Sequence, residues 1–176
     1  MCMRQVSNDC EARAGVGRRR LAPSSFLITD PTEPSMTPDQ ILLVRSSWPA
    51  VAADADALTV HFYAHLFAID DGAARLFAGI DMASQRKKLA QALAVVVKML
   101  DDPEQLLPAV AALGKRHAHY GVEHRHFDSV GEALIAALAA ILGSGFVPEL
   151  QTAWSDAYTL VASVMRRALV RATVPD

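Results

Sequence analysis

The 176-residue sequence predicts an all-α protein in which one folded domain follows an N-terminal tail. From Thr37 onward, apolar residues recur at intervals of three and four, which is the spacing of one helix face. The sequence contains no convincing strand pattern and no internal repeat. With 52% hydrophobic and 20% charged residues, the composition is that of a globular protein with a sizeable core.

The composition changes near Met36. Residues 1–35 carry five Arg, four acidic residues and three Pro without a helical apolar period, which predicts a disordered tail. Translation from Met36 is an alternative that would make this tail an upstream artefact. The run Arg18–Arg19–Arg20 resembles the start of an export signal, but the apolar block that follows it is too short for one. We therefore expect a cytoplasmic protein. The predicted domain is residues 36–176.

Charge and cysteine content exclude several classes of protein. The net charge of −2 gives no electrostatic support for nucleic-acid binding. No run of about 18 apolar residues occurs, so we expect no membrane partner. The two cysteines, Cys2 and Cys10, both lie in the tail, which excludes a disulfide framework in the folded domain.

The first helix has a clear start signal. Thr37 is a suitable N-cap, Pro38 suits the first turn, and Gln40 completes a capping-box arrangement with Thr37. Ile41 and the apolar residues that follow it give the spacing of one helix face. We expect Pro49 to bend or end this helix.

Five further substantial helices and one short helix follow the same apolar spacing. Asp, Gly and Pro residues separate them, because these residues favour caps and turns over helix interiors. The predicted segments are 54–67, a short turn at 76–77, 84–100, 103 to Gly121, 127–142 and 148–171.

The six histidines invite a zinc hypothesis, but their spacing argues against it. His117 and His119 are two residues apart on a helix, so their side chains point about 200° away from each other. His61 and His65 share a face, yet the residues between them include no glutamate to act as a base. We therefore expect most of these imidazoles to be solvated at the surface.

His117 differs because it ends a core-facing row formed by Leu106, Val110 and Leu113. One interpretation is a core histidine that hydrogen bonds only to the backbone. The functional alternative is the single axial ligand of a haem iron, which needs one imidazole in an apolar pocket. In that case its second nitrogen should donate a hydrogen bond to the Leu113 carbonyl.

Four other residues suit the distal side of such a pocket. Gln85 and Leu89 are four apart, so an amide and an apolar group would share one helix face. Tyr63 places a phenol on an otherwise apolar face, and Phe77 lies in a corner where its ring could stack on a porphyrin. Each signal is weak alone, and their agreement with His117 is what favours a haem site.

From Thr37 to about Ala172 the sequence resembles the bacterial globins of the flavohaemoglobin and single-domain haemoglobin group. The resemblance is carried, in order, by Phe62-Tyr63-x-x-Leu66-Phe67, Leu76-Phe77, Asp81-Met82-x-x-Gln85-Arg86-x-x-Leu89, Lys115-Arg116-His117-x-x-Tyr120-Gly121-Val122 and Ala153-Trp154-x-x-Ala157-Tyr158. These motifs cover most of the domain.

The resemblance implies a globin fold of six to eight helices around one haem b (iron protoporphyrin IX). It implies that His117 is the proximal iron ligand and that Tyr63 and Gln85 form the distal hydrogen-bonding pair. The residues implied to line the haem are Phe77, Leu89, Arg116, Val122, Phe127 and Val130.

Two departures from the flavohaemoglobin pattern bear on function. Phe127 and Leu169 occupy the positions where that family places a tyrosine and a glutamate that hydrogen bond to the proximal histidine, which favours holding O₂ over activating it. The sequence ends at Asp176 and contains no GxGxxG motif, so we expect no fused flavin or nicotinamide domain.

The expected function is reversible binding of O₂, with CO or NO as further ligands, for storage, delivery or sensing. We expect no enzyme activity and assign no catalytic residue. The alternative is a nitric-oxide dioxygenase that depends on a separate reductase. A haem-free helical interaction module is a third possibility, which failure to retain haem would support.

Overall fold

The computed structural model describes residues 35–173, so the predicted tail lies outside the described residues except for Ser35. This part of the chain forms seven α-helices and one 3₁₀ turn, with no strand among them, which confirms the predicted all-α class. The helices are α1 (Pro38–Ala53), α2 (Ala55–Ile69), α3 (Asp71–Leu76), α4 (Met82–Met99), α5 (Pro103–His119), α6 (His124–Leu142) and α7 (Pro148–Thr173), and the 3₁₀ turn Gly143–Gly145 precedes α7.

Helix α1 begins as predicted but does not end where we expected. The Thr37 hydroxyl accepts a hydrogen bond from the Gln40 N–H (3.2 Å), and the Gln40 side chain accepts one from the Thr37 N–H (2.9 Å). We expected Pro49 to bend or end this helix. Pro49 does not end it, because α1 continues through Pro49 to Ala53. Val44 and Val51 are fully buried on either side of Pro49, so core packing holds the helix together where a backbone hydrogen bond is lost.

Helices α1 and α7 pack through two tryptophans. The rings of Trp48 and Trp154 lie 6.4 Å apart between centroids at an angle of 45°. The buried Trp154 indole donates a hydrogen bond to the Ser47 hydroxyl at 3.1 Å, so its polar group is satisfied inside the core. This contact fixes α7 against the first helix of the domain.

Helices α5 and α7 approach each other closely at Gly114. A Cβ at this position would lie 2.8 Å from the backbone oxygen of Met165 and 3.0 Å from the Cβ of Ala168. Only glycine allows so close an approach, and the crossing lies one turn before His117. Helix α7 therefore sets the position of the segment of α5 that carries His117.

Asp70 joins the start of α3 to α6. Its carboxylate accepts hydrogen bonds from the Ala73 N–H (2.9 Å) and from the Ser129 hydroxyl (2.7 Å). These two bonds hold the pKa of Asp70 below its ordinary value, with the backbone bond the larger cause. The corner between α2 and α3 is thereby tied to the helix that follows the candidate site.

Helix α6 has a strongly apolar sequence. By length and composition alone, His124–Gly145 could cross a membrane. The buried side of a globular core helix has the same composition, and α6 buries Phe127, Ala133 and Leu138 in the core.

Candidate functional site

His117 lies in the last turn of α5, and its imidazole is half-buried. Its Nδ1 atom lies 2.9 Å from the Leu113 carbonyl oxygen, which is the contact that the sequence predicts. Because a carbonyl can only accept, Nδ1 carries the proton and Nε2 keeps a lone pair. Burial lowers the pKa of His117, the bond to Leu113 opposes this, and the nearby Arg116 charge adds to the lowering. The ring is thus a neutral, oriented nitrogen donor.

The turn after His117 ends α5 with a glycine-dependent cap. Gly121 has φ +74°, and its N–H donates to the Ala118 carbonyl at 3.4 Å. The Val122 N–H donates to the His117 carbonyl, also at 3.4 Å, which completes a Schellman motif. This cap places the half-buried Val122 directly after the turn, where its N–H bonds back to His117.

Tyr63 and Gln85 come together from α2 and α4. Burial raises the pKa of the Tyr63 phenol, and a hydrogen bond with the Gln85 side chain lowers it by a smaller amount. The phenol therefore keeps its proton across the physiological range and remains a hydrogen-bond donor. Two polar groups from separate helices thus meet in an otherwise apolar part of the molecule.

Aromatic rings surround the Tyr63 phenol. The Phe77 ring lies 5.3 Å from that of Tyr63 in an edge-to-face arrangement, and the Phe67 ring lies 5.6 Å from both. Leu76, next to Phe77, has its Cδ2 atom 3.8 Å from the position of a Cβ at Gly121. The corner that carries Phe77 therefore lies beside the turn that follows His117.

Phe127 is buried at the start of α6. Its phenyl side chain has no donor or acceptor atom, so it cannot hydrogen bond to His117. Its backbone carbonyl accepts a hydrogen bond from the Tyr158 hydroxyl, and the Arg166 guanidinium lies 5.4 Å from its ring centroid. Burial raises the pKa of Tyr158 above its ordinary range, so this donor stays protonated. Leu169 is also buried, and its side chain is likewise apolar.

The remaining predicted site residues divide by burial. Leu89, Val122 and Val130 are half-buried and pack against the core, as expected of residues that line an apolar pocket. Arg116 is exposed in the last turn of α5, where its charge reaches the solvent. The roles assigned to these residues stay predictions.

Two features of this region escaped the sequence analysis. No role was predicted for Tyr158, although Gly131, four residues after Phe127, leaves room for it: a Cβ there would lie 2.6 Å from the Tyr158 ring. The expectation of solvated histidines is wrong for His126, which is buried and accepts a hydrogen bond from the Glu123 N–H at 3.0 Å. Its position at the start of α6 could have indicated a capping role.

Among the described residues, no three His, Cys, Asp or Glu side chains come together as a group that could hold a metal ion. His117 instead offers one half-buried, neutral imidazole held by the Leu113 carbonyl, which is the kind of donor that a haem iron takes as an axial ligand. The residues present therefore fit a haem better than a bare metal ion.

The known proteins that resemble this chain are globins and flavohaemoproteins. The globin family model matches residues 60–165. A flavohaemoprotein of Bordetella parapertussis is 32% identical over 132 residues, which is 74% of this chain and 33% of that protein. One from Rhodopirellula baltica is 32% identical over 126 residues, 70% of this chain and 31% of that protein. The chain thus spans about a third of the length of these curated relatives.

Solved structures show the same fold. A bacterial globin from Campylobacter jejuni superposes with a TM-score of 0.68 at 24% identity, covering 77% of this chain and 97% of that one. An engineered carbene transferase from Rhodothermus marinus, provisionally assigned as a nitric oxide dioxygenase, superposes with a TM-score of 0.71 at 28% identity. The match covers 78% of this chain and 95% of that one.

The chain belongs to the globin family. Membership implies haem, iron and the binding of diatomic gases.

Proposed function

We propose that this globin binds O₂ reversibly at a b-type haem, with His117 as the iron ligand and Tyr63 and Gln85 as donors to the bound gas. The hydrogen bond from His117 Nδ1 to the Leu113 carbonyl carries the proposal, because it leaves Nε2 as the only free donor atom of a half-buried ring. When bound, haem supplies an iron atom that takes up diatomic gases reversibly.

His117 would hold the haem from one side. The Leu113 carbonyl fixes the ring orientation and the tautomer, and the lowered pKa keeps Nε2 available for the iron. The close crossing of α5 and α7 at Gly114 and the cap at Gly121 hold both ends of this segment. Little reorganisation of His117 is therefore needed on binding.

Tyr63 and Gln85 would control how long the gas stays. A protonated phenol and an amide can both donate hydrogen bonds to a ligand that gains negative charge on binding. Such bonds are worth about 1.5–3 kcal/mol, which corresponds to a tenfold to hundredfold slower escape. The contact between the two side chains keeps both donors in one place.

Apolar side chains would bury the haem and exclude water. Phe77 lies in the aromatic corner beside Tyr63, and Leu89, Val122 and Val130 pack against the core. Exclusion of water removes competitors for the hydrogen bonds of Tyr63 and Gln85. Arg116, which is exposed at the end of α5, would reach a haem propionate.

Phe127 and Leu169 favour gas holding over chemistry. Neither side chain can accept a hydrogen bond, so neither can make the His117 ring more electron-rich through Nδ1. The proton on His117 Nδ1 is already donated to the neutral Leu113 carbonyl rather than to a carboxylate. A weakly donating histidine suits reversible binding.

A nitric-oxide dioxygenase is the second candidate. It is supported by relatives named flavohaemoprotein and by the structural neighbour that carries the provisional dioxygenase assignment. Turnover would require a reductase to return the iron to its ferrous state. Sustained NO consumption with a reductase present would favour this activity, and a single stoichiometric reaction would favour the carrier.

The test of the proposed function is the visible spectrum of the haem-loaded protein after dithionite, then under CO and under O₂. We expect a five-coordinate ferrous spectrum that converts to stable CO and O₂ forms. A six-coordinate ferrous spectrum would show an internal ligand and contradict the roles of Tyr63 and Gln85. The lack of any Soret band after haem addition would contradict the haem site itself.

A further inference from the structure

A groove lies between α5 and α7 and is lined by residues of both helices. Its volume is about 720 Å³. Its lining combines apolar side chains, among them Leu107, Ala111 and Val164, with the basic side chains of Lys115, His119 and Arg171. Apolar and polar side chains together are usual in a protein–protein interface.

The groove is a local concentration of positive charge. The described residues carry 12 Lys and Arg against 14 Asp and Glu, yet none of the residues that line the groove is acidic. The last acidic residue of α5 is Glu104, and the last of α7 is Asp156. The C-terminal halves of both helices thus carry Lys and Arg side chains but no Asp or Glu, and this positive charge attracts a negatively charged partner.

The groove lies directly behind the proposed iron ligand. Lys115 and His119 stand two residues before and after His117, so each points about 200° away from it around α5. The helix is about 10 Å across with its side chains. A protein seated in the groove would therefore be separated from the His117 ring by one helix.

We propose that this basic groove is the docking site of an acidic electron-carrier protein that reduces the haem iron. The inference rests on the proposed function, since an O₂-binding globin that has oxidised must be returned to its ferrous state. One electron passes from the partner's reduced iron–sulfur cluster or flavin to the ferric iron, and no atom is transferred. The partner contributes carboxylates for the basic side chains and an apolar patch for the apolar ones.

Titration calorimetry of the haem-loaded full chain with an acidic plant-type [2Fe–2S] ferredoxin tests this proposal. The test variant is Lys115→Glu with Arg171→Glu. The control is Lys87→Glu with Lys98→Glu, which reverses two exposed charges on α4 and changes the net charge equally. We expect salt-weakened binding by the unaltered protein, about tenfold weaker binding by the test variant, and less than about threefold change in the control.

Two results would overturn the docking site. The first is equal weakening by both variants or binding that salt does not affect, since either would show that the groove is not the contact. The second is binding to phosphatidylserine vesicles through the groove with none to the ferredoxin, which would assign the surface to a membrane. CO spectra of the same samples distinguish failure of the docking site from failure of the proposed gas binding. If the CO spectra are normal and the ferredoxin does not bind, only the docking site is rejected.

Discussion

The two sides of the candidate haem site differ in what they offer to a bound group. On the side of α2 and α4, two side chains with hydrogen-bonding groups, Tyr63 and Gln85, are in contact inside an aromatic surround. On the side of α5, His117 bonds to a backbone carbonyl, and the buried side chains of Phe127 and Leu169 are apolar.

This difference indicates where the chain controls its ligand. A side chain can be exchanged by a single mutation to strengthen or weaken a hydrogen bond, whereas the Leu113 carbonyl is common to every residue type. Under the proposed function, the His117 side would attach the haem, and the Tyr63 side would control how long the gas stays. Substitutions on the two sides should consequently change different properties.

The largest effect is expected from placing a carboxyl on the apolar side. Leu169→Glu should lower the free energy of unfolding by about 3 kcal/mol or more at pH 7, because it buries a charge among apolar groups. Burial raises the pKa of the new carboxyl above its unfolded value, so the folded state binds more protons and stability falls as the pH rises from about 4.

Denaturant unfolding at pH 4.5 and pH 7 measures this loss. The neighbouring Val170→Glu is the control, since Val170 is 45% exposed. We expect it to change stability by less than about 0.5 kcal/mol. Equal, small losses in both variants would show that the Leu169 position tolerates a carboxylate and that the apolar description of this side is wrong.

The next effect concerns the polar side. Tyr63→Phe removes the phenol but keeps the ring contacts with Phe67 and Phe77, so O₂ should dissociate about tenfold to hundredfold faster. Stopped-flow displacement of O₂ by CO measures the rate. Tyr120→Phe is the matched control, because the Tyr120 side chain is 66% exposed. An unchanged rate in the Tyr63 variant would refute its role.

The smallest effect is expected at the turn that joins the two sides. Gly121→Ala forces a side chain into the left-handed region and should cost about 1–2 kcal/mol of stability. Thermal unfolding measures the loss, with Gly145→Ala as the control, where the structure leaves open space and an ordinary φ. If the two variants have equal thermal unfolding midpoints, alanine at Gly121 does not strain the helix cap and the expectation is wrong.

Local signals predicted much of the fold. Three correct predictions concern contacts that each span five residues or fewer, where spacing determines which groups can meet. They are the capping box at Thr37, the helix end at Gly121 and the bond between His117 and the Leu113 carbonyl. The start and end of α5 followed from its Pro and Gly residues. Pro49 was misjudged because core packing outweighs a local preference.

Contacts between distant segments were beyond such reasoning. Tyr158 bonds to the Phe127 carbonyl across 31 positions, and the basic groove joins Lys115 to Arg171, so neither follows from periodicity. The buried state of His126 likewise depends on the helices around it rather than on its own position in the chain. The resemblance to globins supplied the pairing of Tyr63 with Gln85, which the structure brings into contact.

The most direct test of the central claim is the ferrous spectrum of His117→Gly with and without added imidazole. If His117 holds the iron, the variant should bind haem poorly, and imidazole should restore a five-coordinate histidine-like spectrum and CO binding. A variant that keeps the spectrum of the unaltered protein without imidazole would contradict the claim, because another side chain would then hold the iron.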